Sequence, residues 1–151
     1  MDFQLHLIRK TRENFFKLMD GLSIDSLNKV PEGFNNNIVW NFGHILVSQQ
    51  ILCYHLSGLR MQLDPELIRR YRKGSKPEAP VGEAELEQLK NYAVSTADQL
   101  EKDLKEGVFQ NFNEYLTSYG LVLTSIGEAV AYNAQHESLH LGYAMALKKL
   151  V

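Results

Sequence analysis

Several absences narrow the field first. The chain has a single cysteine, Cys53, so no internal disulfide can form, and a lone thiol fits a reducing cytoplasm. Neither charge dominates: 16 Lys and Arg stand against 18 Asp and Glu, a net charge of -2. That balance offers no general field to draw in nucleic acid or an anionic membrane surface. No apolar run approaches the roughly 20 residues that span a bilayer. The opening residues Met1-Asp2-Phe3-Gln4-Leu5-His6 lack a basic segment followed by an apolar one, so no secretory signal is expected. There is no internal repeat, no low-complexity tract and no glycine-rich phosphate loop. What remains is an ordinary globular composition, 44% apolar and 23% charged over 151 residues, enough for one domain with a real core, expected to span residues 1–151.

Helical periodicity dominates the pattern. Leu5, Ile8, Phe15, Phe16 and Met19 form an apolar stripe that predicts a first helix from Phe3, stopped by Gly21. Arg12 falls inside that stripe, either snorkelling its head outward or aiming a cation at a bound anion. Residues 22–37 read as a connector with a short helical turn at Ser23–Asn28, punctuated by Pro31, Gly33 and three consecutive asparagines. Asn36 or Asn37 caps a second helix predicted to run to Ser57. Its apolar face is Ile38, Phe42, Ile45, Leu52 and Leu56; beside it runs a polar line, Asn41, His44, Ser48, Ile51, His55. Gly43 in mid-helix costs about 1 kcal/mol relative to alanine, which allows a close approach of backbone or ligand or is tolerated slack.

Asp64-Pro65-Glu66 reads as a cap with proline at the first helical position, so a short helix to Arg72 is expected, then a loop through Lys73-Gly74-Ser75-Lys76-Pro77. A third long helix is predicted over Glu83–Lys105, ended by Gly107. It carries no histidine and reads as structural. The aromatic stretch Val108–Leu123 reads as a packed loop with a little extended structure. Ser125-Ile126-Gly127-Glu128 has the capping-box signature of a fourth helix running to Leu150. Four long helices joined by long connections predict an all-α four-helix bundle.

Function concentrates on histidine. His136 and His140 are four residues apart, hence on one helix face one turn apart, as in paired-histidine metal sites. His44, about two turns into the second helix, supplies a third imidazole if those two helices face each other. Asn41 and Ser48 are the candidate partners for the second ring nitrogens; Glu137 is a further one, although its place beside His136 favours solvent exposure. His55 lies eleven residues beyond His44, about 16 Å along the helix, too far to share an ion. His6 is expected to be exposed. Cys53 sits about 180° around the helix from His44, a poor ligand or nucleophile and a good small hydrophobe.

These residues resemble the DinB-like superfamily, small four-helix proteins that include the YfiT-like enzymes. The carriers are Trp40-Asn41-Phe42-Gly43-His44-Ile45, Tyr71-Arg72-Lys73-Gly74-Ser75 and His136-Glu137-Ser138-Leu139-His140-Leu141-Gly142, and the likeness spans essentially the whole chain. The resemblance implies that His44, His136 and His140 together hold a divalent metal and that the protein is a homodimer. Imidazole ligation by type suits zinc, nickel, iron or copper, with zinc or nickel expected foremost. Three neutral imidazoles leave coordination positions open, as in catalytic sites. Similar members are metal-dependent transferases that activate a low-molecular-weight thiol as co-substrate toward a small-molecule substrate. Others resemble hydrolases, and a non-catalytic, stress-associated metal binder is the further alternative. The residues alone leave these open, since no nucleophile–base pair stands out beyond the metal. Arg12 and the basic rim of Arg69, Arg70, Arg72 and Lys73 are candidates for holding a co-substrate's carboxylates.

Overall fold

Asn37 begins the element that everything else packs around. Its side chain accepts a hydrogen bond from the Trp40 N–H at 2.8 Å and so caps helix α3, Ile38–Gln49. Every residue of α3 is buried, which its nearly continuous apolar sequence permits and an amphipathic sequence would not. The computed structural model describes residues 1–151. In chain order the elements are α1 (Asp2–Met19), α2 (Ile24–Asn28), α3, a π-helical turn (Gln50–His55), α4 (Pro65–Tyr71) and α5 (Glu83–Lys105). After them come a two-stranded hairpin of β1 (Tyr115–Leu116) and β2 (Val122–Leu123), α6 (Ile126–Leu147) and a short 3₁₀ turn to Leu150. The protein is therefore all-α apart from one hairpin. No helix is long and apolar enough to cross a membrane.

Helix α1 packs against α6 and α5, and α3 packs against α6, α5 and α4. The main core lies where Phe15 and Leu18 of α1, Phe42, Ile45 and Leu46 of α3, Leu86 and Leu89 of α5, and Ala144 and Leu147 of α6 meet. Phe15 and Phe42 place their ring centroids 5.5 Å apart. Fully burying such side chains contributes about 1.5–3 kcal/mol each. The helix faces that carry them therefore fix which polar residues are left to face one another.

The first three long helices and the short helix to Arg72 begin and end within a residue or two of expectation. The fourth stops as an α-helix at Leu147, three residues short of Leu150, and finishes as the 3₁₀ turn. The larger difference is in the second. The second is not a single α-helix to Ser57, because its last turn and a half winds as a π-helix. The Leu56 N–H reaches back five residues to the Ile51 carbonyl, at 3.1 Å. This widened turn keeps Leu52, Cys53 and Tyr54 buried while His55 is exposed. The helix thus turns its last histidine out of the interior that holds His44.

Helix α4 is short, yet it is seated firmly by Gly43. A Cβ built on Gly43 would lie 2.5 Å from Cδ1 of the Tyr71 ring and 2.6 Å from its Cε1. The mid-helix glycine is therefore the floor on which Tyr71 rests, and the close approach is by a side chain of the fold rather than by a ligand. Alanine is the better helix former by about 1 kcal/mol, but overpacking costs about 1–3 kcal/mol. Gly43→Ala is expected to lower the thermal midpoint because the aromatic ring is pinned on its far side. The Tyr71 hydroxyl donates to Glu85 Oε1 at 2.7 Å. A melting temperature that rises in Gly43→Ala would show that the ring does not rest there.

Candidate metal centre

The capped start of α3 and the middle of α6 face each other across the protein, and the histidines are the residues that meet. His44 and His140 have ring centroids 4.6 Å apart, His136 and His140 4.5 Å, and His44 and His136 5.3 Å. One ring nitrogen from each lies within 4.8 Å of the others, close enough to hold a metal ion.

The protein prepares two of these rings through their other nitrogen. His44 Nδ1 is 2.7 Å from the Tyr71 carbonyl, which can only accept, so Nδ1 carries the proton and Nε2 keeps its lone pair. The same logic holds at His140, whose Nδ1 is 2.7 Å from Asn41 Oδ1. The Asn41 amide cannot turn round, because its Nδ2 already donates to Asn36 Oδ1 at 2.9 Å and to the Asn37 carbonyl at 2.8 Å. The asparagine run that read as loop punctuation thus orients a histidine of the cluster through Asn41. Ser48 Oγ lies 3.3 Å from His44 Nε2, on the open side of the ring. The indole of Trp40 stacks on His44 at 4.7 Å and 10°.

His136 completes the test of fit. Its Nδ1 is buried without any hydrogen-bond partner in the protein. Orphaned buried polar atoms are uncommon and call for an explanation. Here a cation beside two prepared Nε2 atoms would supply one. Burial, and then the neighbouring His44, pushes the His136 pKa down to about 4. Burial, then His136 and His44, pushes His140 down to about 3. Burial also lowers His44, opposed by its bond to the Tyr71 carbonyl. All three rings are neutral near pH 7, the form that coordinates. The residues present therefore fit a divalent ion.

The three rings line one cavity of about 220 Å³, together with Ser48, Ile51, Leu52, Lys73, Tyr115, Ser118 and Tyr132. Tyr115 of β1 and Ser118 of the turn after it line one side of this cavity, a role that the aromatic 108–123 stretch did not disclose in sequence. A roomier groove of about 480 Å³ between Phe16, Lys17, Glu83 and Lys90 contains none of the histidines.

Other expected roles change. Arg12 neither snorkels nor faces an anion from solution. It is buried and makes a two-pronged ion pair with Glu137, Nε to Oε2 at 3.0 Å and Nη2 to Oε1 at 2.7 Å. Glu137 is accordingly not solvent-exposed but fully buried, and it also accepts from Asn133 Nδ2 at 2.8 Å. The hint in sequence was the arginine in an apolar stripe and the i,i+4 spacing of Asn133 and Glu137. Helix α5, which read as inert, holds the remaining Arg12 nitrogen through the Ala93 carbonyl and the Thr96 hydroxyl, both at 2.9 Å. Glu137 therefore contacts no ring nitrogen of the cluster; it anchors the back of α6. Of the rim arginines, Arg69 is engaged with Glu66 and Glu78 and Arg70 with Glu85, while Arg72 makes no ion pair and does not line the histidine cavity. His55 and His6 are exposed, away from the cluster. Cys53 is buried among Leu5, Ile8 and Leu100, and burial, followed by the charge of Glu137, pushes its thiol far above the usual range.

A mostly helical protein that gathers three neutral histidines from two helices onto one cavity belongs to the class of helical proteins built around a histidine cluster able to hold a metal. The chain is a member of the DinB superfamily, whose sequence profile matches residues 7–144. The crystal structure of a conserved protein from Enterococcus faecalis has the same fold, with a TM-score of 0.71 over 99% of this chain and 95% of that one at 12% identity. No curated protein matches by sequence.

Proposed function

We propose that the protein is a divalent-metal-dependent transferase that uses a small thiol as co-substrate, with His44, His136 and His140 as the metal ligands. The observation that carries this reading is the set of three neutral imidazoles opening onto one cavity while the protein's own thiol is shut away. In this reading α1, α3, α5 and α6 are the four helices of a bundle with the ion between α3 and α6. Residues 1–151 form its single domain, and zinc or nickel is the preferred ion.

The residues divide the work as follows. Tyr71 and Asn41 hold the Nδ1 protons of His44 and His140, which leaves both Nε2 lone pairs free to coordinate an ion that His136 would share. A divalent ion with only neutral ligands supplies positive charge that lowers the pKa of a thiol or water in an open position. A free thiol has a pKa near 8.5 and is mostly protonated at neutral pH, so this is the step that needs assistance. Ser48 stands beside the ligand face, where its hydroxyl can hydrogen-bond to the co-substrate. Tyr132 and the hairpin residues Tyr115 and Ser118 wall the cavity and limit the access of bulk water.

The test is to load metal-free protein with cobalt and add 2-mercaptoethanol near neutral pH. A sulfur-to-metal charge-transfer band that is absent from His136→Ala is the expected result. A spectrum that responds to hydroxide or acetate but to no thiol would sink the transferase reading in favour of hydrolysis or simple metal binding.

We also propose a homodimer. Leu139, Tyr143 and Met145 on α6 and Leu116, Tyr119, Leu121 and Val122 of the hairpin region are exposed apolar side chains, some of which a two-fold interface could cover. Light scattering at high micromolar concentration is expected to give twice the chain mass of 17.3 kDa; a monomer mass refutes it.

A further inference from the structure

We propose that the co-substrate is a small anion, and that Lys73 pairs with a carboxylate or similar group at the end remote from its reacting atom. This rests on the metal reading above and adds the chemistry of the molecule that enters.

The charge around the cavity points one way. Apart from the three imidazoles, Lys73 is the one charged side chain that lines it, and no aspartate or glutamate does. A divalent ion would add two positive charges that no protein carboxylate offsets there. A cavity so lined favours an anion over a neutral molecule of the same shape.

The neighbouring cations are not available for the same task. Arg69 is held by Glu66 and Glu78, Arg70 by Glu85, and Arg12 is buried against Glu137. Arg72 does not line the cavity. Lys73 makes no ion pair and no side-chain hydrogen bond, so its ammonium is free to meet a ligand; the four lysines that do pair with carboxylates, Lys10, Lys90, Lys102 and Lys105, do not line the cavity.

Lys73 is also carried on a tied loop. The Ser75 hydroxyl donates to the Arg70 carbonyl at 2.6 Å, the Trp40 indole N–H donates to Ser75 Oγ at 3.2 Å, and the Ser75 N–H donates to the Arg72 carbonyl at 3.1 Å. The same segment supplies the Tyr71 carbonyl that holds His44. The lysine and the metal ligand are therefore positioned by one piece of chain. Ser118 and Tyr115 offer neutral hydroxyls from the hairpin. The cavity of about 220 Å³ is below the roughly 300–1,000 Å³ of sites that take drug-sized ligands, so the part of the co-substrate that it takes in is small.

The test uses two thiols of equal length that differ in charge, 3-mercaptopropionate and 3-mercapto-1-propanol, titrated into the cobalt-loaded protein by calorimetry and visible absorbance. The wild-type protein is expected to bind the carboxylate form about tenfold more tightly, as a charge-assisted contact allows. Lys73→Met should bind the two thiols alike while keeping the wild-type cobalt stoichiometry. Equal affinities in the wild type overturn the inference, as does a failure of both thiols to bind. A preference that survives in Lys73→Met also overturns it, because the ion rather than the lysine would then hold the carboxylate. Absence of cobalt uptake by the wild-type protein is a distinct result, which removes the metal reading and this inference together.

Discussion

Arg12→Ala is expected to destabilise the protein by about 3–5 kcal/mol, the usual cost of leaving one member of a buried ion pair without its partner. At this chain length that lowers the thermal midpoint by on the order of 10 °C. The size follows from the surroundings. Arg12 and Glu137 have side-chain exposures of 2% and 0%, so the carboxylate that loses its guanidinium lies out of reach of bulk water. The Ala93 carbonyl and Thr96 hydroxyl lose a donor as well. Glu137→Ala should cost a similar amount for the mirror reason, a guanidinium left without its carboxylate. Replacing both residues by apolar ones of similar volume, Arg12→Met with Glu137→Leu, should recover most of the loss, since desolvating a pair of charges offsets much of their attraction. Thermal melts of the two single variants and the double variant check this. Near-wild-type melting of Arg12→Ala would mean that the pair is exposed to water and that α6 is not anchored through it.

The second large effect is expected from the metal. The cluster histidines contributed by α3 and α6 are 92 residues apart in sequence at the nearest, His44 to His136 (136 − 44 = 92), and only the folded chain brings them together. An ion that binds the folded state alone stabilises it by about 4 kcal/mol when present at a thousand times its dissociation constant. Adding zinc or nickel to chelator-treated protein should therefore raise the midpoint by on the order of 10 °C. His44→Ala, His136→Ala and His140→Ala should each abolish most of that rise and lower the bound metal. His55→Ala, on the exposed side of the π-helical turn, should keep both. Unchanged metal content in all three ligand variants would falsify the assignment.

The contrast between these two predictions marks how far the sequence could be read. Helix α5 was legible to the residue, because Leu86, Leu89, Ala93 and Leu100 repeat at the helical period and Gly107 ends it at φ 67. The histidines were legible because an i,i+4 pair needs only local geometry. Arg12 was not legible. A cation in an apolar stripe is compatible with snorkelling, anion binding or a buried pair, and the choice depends on a residue 125 positions away. The π-helical turn was hidden as well, since one added residue in a helical turn leaves no compositional mark.

The sequence by itself determined the helices, their caps, the class of fold and the three imidazoles, all of which follow from interactions within a few residues or from residue chemistry. Only the tertiary structure decided what those side chains face. It turned Glu137 inward to Arg12, used Gly43 as the seat of Tyr71, and gave the Tyr71 carbonyl and the Asn41 amide the Nδ1 protons of His44 and His140. It also brought the hairpin region to one side of the cavity and left Lys73 as its free cation. The physical reason is that a buried polar group must find a partner. Which partner it finds is fixed by the packing of whole helices, driven by apolar faces such as Phe15 on Phe42, and not by the sequence next to it.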